Sequence, residues 1–229
     1  LGAQGGLQLL CQPRGGVPGR EPIGCELYSR MAAPIADAAS GPAALLPMVE
    51  RVGQAAAYDR LVLELLSARL PDYPRWTVNV SPQSLRDPGW LQWLEGFLGD
   101  RPAVAERLAF ELPERAFVAL PELVSEFQHR IARHGCGLGV DHFDLKTSNF
   151  AYLGSLPLAH VKLHRSLAQD LHRRRDGQFY VKSLAQLVHS REIALIVEGI
   201  ETEADWAALA NLNADGAQGF FLGHPQLLV

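Results

Sequence analysis

Polar residues stand at the ends of several short apolar runs along this chain. Asn79 follows Trp76-Thr77-Val78, Glu111 follows Leu108-Ala109-Phe110, and Asp141 follows Leu138-Gly139-Val140. Lys162 follows His160-Val161, and Glu198 follows Ala194-Leu195-Ile196-Val197. Glu26 within Ile23–Tyr28 and Gln218 within Ala217–Leu222 extend the set. Glu26, Asn79, Glu111 and Asp141 offer only oxygen ligands, which suit Mg²⁺ or Mn²⁺ better than zinc. A lysine beside them could orient or deprotonate a water, or neutralise a phosphate. Two divalent ions about 4 Å apart with a bridging hydroxide would hydrolyse a phosphodiester. Taken singly, each acid could instead cap a helix or pair with an arginine. A structural role alone predicts no such repeated placement at successive strand ends, so the pattern favours a shared site.

These residues meet only if their strands end on one face. Leu7 to Cys11 reads as a strand ending in Gln12-Pro13, Arg14 to Glu21 as a Gly- and Pro-rich turn, and Ile23 to Tyr28 as the second strand of a hairpin. Leu46, Val49, Val52, Leu61, Leu65 and Leu66 recur at helical spacing, predicting a helix over Ala43 to Leu70, ended by Pro71 and Pro74. Strict alternation follows. Strands are expected over Arg75–Val80, Arg107–Leu112, Gly137–Phe143, Ala159–Leu163, Ile193–Val197 and Ala217–Leu222. Helices are expected over Trp90–Leu98, Pro121–His134, Asn149–Leu156 and Phe179–Ser190, and one opening at the capping box Thr202-Glu203-Ala204-Asp205 and running to about Leu212. Seven or eight strands alternating with helices in one domain-sized chain fit a closed α/β barrel, with the polar strand ends converging on one mouth. No GxGxxG or GxxxxGK[ST] follows the first strand, which removes the main open-sheet nucleotide folds. There is no internal repeat and no low-complexity segment.

The composition agrees with a single globular barrel over residues 1–229. Hydrophobic residues make up 48% of the chain, enough for a large core, and no apolar run approaches the roughly 20 residues that span a bilayer. The net charge of −4 argues against direct nucleic-acid binding by bulk electrostatics. Cys11, Cys25 and Cys136 form no metal-binding spacing and read as small apolar fillers in a reducing compartment. The first residue is not Met and no signal peptide is recognisable, so a piece of a longer, multidomain protein is expected.

The chain resembles the EAL domain family, the cyclic di-GMP phosphodiesterase type, along nearly its whole length. The matching segments are Gln12-Pro13, Glu26-Leu27-Tyr28-Ser29-Arg30, Val78-Asn79-Val80-Ser81-Pro82 and Phe110-Glu111-Leu112-Pro113-Glu114. Val161-Lys162-Leu163-His164-Arg165-Ser166, Val197-Glu198-Gly199-Ile200-Glu201-Thr202 and Ala217-Gln218-Gly219-Phe220 continue the match in the family's order. The resemblance implies a TIM-like (β/α)8 barrel of EAL type with an antiparallel first strand, binding cyclic di-GMP across its mouth. Active members cleave that ligand to linear pGpG with Mg²⁺ or Mn²⁺. By position, Glu26, Asn79, Glu111 and Asp141 match metal ligands, Lys162 matches the catalytic lysine near the attacking water, and Glu198 and Gln218, catalytic in active members, match the remaining metal and water-positioning groups. Gln12, Glu26, Leu27, Arg30, Asn79, Lys162 and Gln218 match ligand-contacting positions, and Glu114 the glutamate that steadies the loop after the Asp141 strand. The resemblance also implies a homodimer and a cytoplasmic domain of a larger signalling protein, inner-membrane attachment being one arrangement.

Several positions depart from the family. Active members carry Asp-Asp-Phe-Gly-Thr-Gly where this chain has Asp141-His142-Phe143-Asp144-Leu145-Lys146. The second aspartate, a metal ligand, is His142, and both loop glycines are replaced, which predicts a different loop. His164 replaces another acid beside Lys162, and Tyr28 puts a bulky ring near the expected base-binding wall. Missing ligands weaken a transition-state site more than a binding site. The expectation is therefore a degenerate EAL domain, a cyclic di-GMP receptor or regulatory module with little or no hydrolysis and no obligatory cofactor. The alternatives are an active Mg²⁺/Mn²⁺ phosphodiesterase in which His142 is a ligand, and a protein-interaction scaffold that no longer binds nucleotide.

Overall fold

A computed structural model describes residues 6–32, 42–143 and 150–228. The elements in chain order are β1 (Leu7–Gly16), β2 (Pro22–Met31), α1 (Pro42–Arg51), α2 (Ala55–Ala68), β3 (Trp76–Asn79), α3 (Pro88–Gly99), α4 (Pro102–Ala105) and β4 (Leu108–Pro113). They continue with α5 (Glu114–Ala119), α6 (Pro121–Ala132), β5 (Gly137–Phe143), α7 (Ala151–Ser155), β6 (His160–Leu163) and α8 (Arg165–Ala168). The chain closes with α9 (Arg175–His189), β7 (Ala194–Glu198), α10 (Glu203–Leu209), β8 (Gly216–Gln218) and β9 (Gln226–Leu227).

Strands β2 to β8 run parallel in sequence order. β1 closes the ring by pairing antiparallel with both β2 and β8, and β9 adds to the outer part of β1. The result is a closed eight-stranded barrel ringed by helices, with its first strand reversed as expected. Along each strand one set of alternate residues packs outward and the other fills the interior. Phe110 faces out and meets Phe127 of α6 edge-on, with the Trp90 ring of α3 stacked behind it. Val78, Val140, Val161 and Val197 belong to the same apolar layer. The interior set is polar: Arg14, Thr77, Glu111, His160, Lys162 and Gln218 are all buried. A barrel lined this way is built around a site rather than a hydrophobic plug.

The single helix expected over Ala43 to Leu70 is two, because the chain turns at Gly53. Gly53 adopts φ +67 and its amide bonds Glu50 O, while the Gln54 amide bonds Val49 O. These two bonds form a Schellman cap, which needs a left-handed residue that glycine supplies without a Cβ clash. The last predicted strand shortens to Gly216–Gln218, after which the chain folds over Ile200. Thr202 caps α10 as expected, the Asp205 amide donating to Thr202 Oγ1, and that hydroxyl in turn donates to Asp205 Oδ2. The altered loop 144–149 lies outside the described residues.

Asp59 of α2 ties the segment after β3 to the helical layer. Its Oδ2 accepts from the Ser81 amide at 3.0 Å and from Ser84 Oγ at 2.6 Å, while its buried Oδ1 has no hydrogen-bond partner among the described residues. Burial pushes this carboxyl up from 3.8 to about 7, against the opposing pull of Ser84 and Ser81. The folded state therefore holds the proton more tightly than the unfolded chain. That contribution is complete below the unfolded value and is lost as pH rises to about 7. Asn at this position mimics the neutral acid. Urea unfolding should show Asp59→Asn gaining about 2 kcal/mol or more on the wild type between about pH 5 and pH 8. A difference that stays constant with pH would show that Asp59 is ionised in the fold.

Candidate active site and its buried cations

The barrel interior holds two positive and three negative side chains in direct contact. Lys162 Nζ lies 2.8 Å from Glu26 Oε2, 2.8 Å from Glu111 Oε2 and 2.9 Å from Asp141 Oδ1. Arg14 enters from the reversed strand β1. Its Nη2 reaches Glu111 Oε1 at 2.6 Å and Glu26 Oε2 at 3.1 Å, its Nη1 donates to Thr77 Oγ1, and its Nε donates to Gln218 Oε1. His160 Nε2 sits 2.6 Å from Glu111 Oε1, and Asn79 Nδ2 donates to Glu26 Oε1 at 2.7 Å. Gly139 makes room for that imidazole, since a Cβ there would lie 2.3 Å from His160 Nε2. Seven barrel strands thus meet in one network, β1 to β6 and β8.

Electrostatics within the network are mutual. Burial opposes the charge on Lys162, but Asp141, Glu111 and Glu26 outweigh it and hold the ammonium well above the ordinary lysine range. Arg14 is likewise raised against its burial by Glu111 and Glu26. Burial would raise Glu111 and Asp141, yet Arg14 and Lys162 keep Glu111 well below the carboxylate range, and Lys162 with His142 keeps Asp141 below its own. Lys162 is therefore held as a cation by its three carboxylate neighbours.

Asp141 is the hinge between this inner cluster and the barrel mouth. The β5–β6 register shifts between Val140 and Phe143, so β5 bulges there. His142 adopts φ 55, a left-handed angle uncommon outside glycine. A bulge lets two consecutive side chains address one site. Asp141 accepts the His142 amide at 2.7 Å on Oδ1 and contacts His142 Nδ1 at 2.8 Å through Oδ2. The hydrogen bond to Asp141 raises the imidazole above its usual value. Glu198 stands across the mouth, raised by burial. The ring of His164 lies 5.5 Å from that of His142.

The mouth is a cavity of about 440 Å³. Its walls include Leu27, Tyr28, Val78, Val80 and Pro82, and its cations are Lys162, Arg115 and Arg165. Most residues singled out from the sequence converge here: Glu26, Leu27, Asn79, Asp141, His142, Lys162 and Glu198 all line the cavity. Glu111 lies beneath it, fully buried. Gln218 and Gln12 form a side-chain chain instead, Gln218 Nε2 donating to Gln12 Oε1 and to Tyr28 Oη, and Gln12 Nε2 to Gly223 O. Glu114 opens α5 and accepts from Tyr152 Oη of α7, the helix after the undescribed loop, at 2.9 Å. Arg30 does not join the group; it is exposed and its Nε donates to Gln8 on the neighbouring strand. Arg14, His160, Arg115 and Arg165 were missed as site residues. Arg14 and Gln12 are two apart on one strand and so share its inner face, a signal hidden by reading Arg14 as a turn.

Whether these residues fit divalent ions differs between two groups that share Asp141. Glu26, Glu111 and Asp141 form one possible ligand triad. Every oxygen of Glu26 and Glu111 is already engaged by Arg14, Lys162, His160 or Asn79, so this inner triad does not fit an ion as it stands. Asp141, His142 and Glu198 form the other triad, at the cavity wall. There Asp141 Oδ1 is engaged by Lys162 and the His142 amide and Oδ2 by His142 Nδ1, so an ion would have to displace one of these contacts.

An eight-stranded barrel with a reversed first strand and a carboxylate-, amide- and lysine-lined mouth defines a recognisable class of α/β barrel. Residues 2–225 match the EAL domain, and the chain belongs to that family. An uncharacterized protein of Azorhizobium caulinodans is 26% identical over 220 residues, covering 91% of this chain and 29% of the relative. Cyclic di-GMP phosphodiesterase PA2567 of Pseudomonas aeruginosa is 25% identical over 233 residues, covering 99% of this chain and 40% of the relative. The chain thus spans less than half the length of either relative. The FimX EAL domain of Pseudomonas aeruginosa bound to c-di-GMP superimposes with a TM-score of 0.84 at 26% identity, over 96% of this chain and 90% of that one. Among the described residues no helix is long and apolar enough to cross a membrane.

Removing Arg14 would strand two buried carboxylates. Arg14→Met should lower the unfolding free energy by about 3–5 kcal/mol in urea titration, the usual cost of breaking a buried ion pair. A loss below about 1 kcal/mol would show that Lys162 and water neutralise the acids without it.

Proposed function

We propose that this EAL domain binds cyclic di-GMP at the barrel mouth and acts as a receptor or regulatory module in cyclic di-GMP signalling, with little or no hydrolysis. The observation that carries this reading is the engagement of Glu26 and Glu111 by Arg14 and Lys162. An anionic dinucleotide approaching bare carboxylates is repelled unless cations intervene. Two fixed internal cations offset most of that repulsion without a metal, and Arg115 and Arg165 add positive charge where phosphates would arrive. The apolar wall of Leu27, Val78, Val80 and Pro82, with the Tyr28 ring, suits flat purine faces. Tyr28 is anchored through its hydroxyl to Gln218 at 3.0 Å, which fits a wall that stacks on a base.

Hydrolysis would ask more of the same residues. Two-metal chemistry needs Glu26, Glu111 and Asp141 as ligands and an acceptor for a water proton. Here those acids are held by ammonium and guanidinium groups, and Lys162 is protonated. The phosphodiesterase reading keeps one observation in its favour: Glu26, Asn79, Glu111, Asp141 and Lys162 do converge. In that reading Glu26, Glu111 and Asp141 would hold Mg²⁺ or Mn²⁺ once freed from Lys162, with His142 as a further ligand. The domain is further read as one module of a longer signalling protein, whose self-pairing and protein partners would carry its output.

Calorimetric titration of cyclic di-GMP into the domain, in EDTA and in Mn²⁺, with chromatography of the Mn²⁺ mixture, separates these readings. Binding that persists in EDTA with no linear product is the expected result. Steady release of the linear dinucleotide with Mn²⁺ would overturn it in favour of the enzyme, and no heat in either condition in favour of a scaffold.

A further inference from the structure

We infer that the outward face of α9, centred on Phe179, docks on an anionic lipid surface. This goes beyond the receptor reading and does not need the nucleotide.

Helix α9 carries apolar residues on two faces. Gly177, Val181, Leu184, Ala185 and Val188 form the buried stripe that packs on the barrel beside β7. Opposite that stripe, at helical spacing, stand Phe179, Ser183, Gln186 and Ser190. Phe179 is 68% exposed, Tyr180 40% and Leu187 41%. The Tyr180 ring meets that of Phe179 edge-on at 6.1 Å, and Leu187 lies two turns on from Tyr180 on the same side. The core therefore makes no use of these three side chains, and together they form one exposed apolar tip.

Basic side chains surround that tip. Arg175 lies four residues before Phe179 and Lys182 three after it, so both share its face. Both are exposed, as is Arg173, and none of the three makes an ion pair among the described residues. Arg174 alone is committed, to Asp176 at 2.8 Å and to Ser166 O at 3.1 Å. From Leu171 to Arg191 the chain sets Arg173, Arg174, Arg175, Lys182 and Arg191 against Asp176 alone, within a protein of net charge −4. Helix stability does not ask for this arrangement, because the positive end of the helix dipole disfavours the arginines that open α9.

Charge and shape select the partner. Cations around protruding rings suit the headgroup layer of an anionic bilayer, where the cations meet phosphates and the rings reach the upper acyl carbons. A second copy of this chain fits poorly, since a two-fold pairing through α9 sets two positive faces together. An acidic peptide would need a groove beside the ring, and Phe179 stands on the crest of a single helix.

Sedimentation of the nucleotide-free domain with vesicles tests this. Phosphatidylcholine vesicles containing about one third phosphatidylglycerol should carry the domain down, pure phosphatidylcholine should not, and about 0.5 M salt should release it. Phe179→Ser should weaken partitioning about tenfold. Arg175→Glu combined with Lys182→Glu should weaken it by about tenfold or more and abolish its salt dependence. These positions are exposed, and an unchanged urea midpoint separates loss of docking from misfolding. Equal binding to neutral vesicles, no binding to either kind, or binding indifferent to these variants would each overturn the inference. Tighter binding to polyglutamate than to the anionic vesicles would assign the face to an acidic protein instead. A dimer in light scattering that Phe179→Ser dissociates would assign it to a second copy, and either result would sink the lipid assignment. The receptor reading fails separately, by the absence of nucleotide binding in EDTA.

Discussion

The contact between Lys162 and three carboxylates, completed by Arg14, is the constraint on which the molecule turns. Its charged atoms come from β1, β2, β4, β5 and β6, and its neutral partners from β3 and β8. No two neighbouring strands could satisfy it alone, so it exists only once the barrel has closed. Taking five ionised groups out of water is costly, and their attraction offsets that cost only when the geometry leaves few lone pairs idle. Here both oxygens of Glu26 and of Glu111 are occupied. The reversal of β1 matters for the same reason, because it aligns Arg14 with Gln218 and turns the guanidinium across the interior towards Thr77 and Glu111.

The barrel mouth is thereby divided into two levels. Beneath lies a buried cluster of three carboxylates and two cations, with Glu111 and Lys162 essentially without exposure. Above it lies an open cavity with apolar walls and two arginines at its rim. Asp141 belongs to both levels, bonding Lys162 below and His142 above. In the proposed receptor reading, a ligand at the mouth meets a surface whose field is set by Arg14, Lys162, Arg115 and Arg165. Recognition of an anion and stabilisation of a transition state therefore come apart: the first needs charge balance, the second needs ligands free to hold metal and a base free to take a proton.

Much of this was legible in the sequence because barrels place chemistry at strand ends. Asn79, Glu111, Asp141, Lys162 and Glu198 each end an apolar run, and the alternation of strands and helices gave the closed sheet that gathers them. What escaped notice depended on register and local backbone. Arg14 sits between Pro13 and two glycines and read as turn, although β1 runs on to Gly16. His160 read as the polar start of a strand, and only the absence of a side chain at Gly139 lets it reach Glu111. Arg30, expected at the ligand, is carried past the cavity by the cross-strand pairing of β2 with β1, which sets it opposite Gln8. Gly53 divides a helix whose apolar spacing runs through the break.

The central claim is that the inner acids are held by Arg14 and Lys162 and not by metal. Anomalous diffraction at the manganese edge from crystals grown with cyclic di-GMP and excess Mn²⁺ tests it directly. The account predicts no manganese peak on Glu26 or Glu111, with Lys162 Nζ still within hydrogen-bond distance of both. A peak ligated by Glu26, Asn79, Glu111 and Asp141, with Lys162 displaced, would contradict it and restore a two-metal phosphodiesterase.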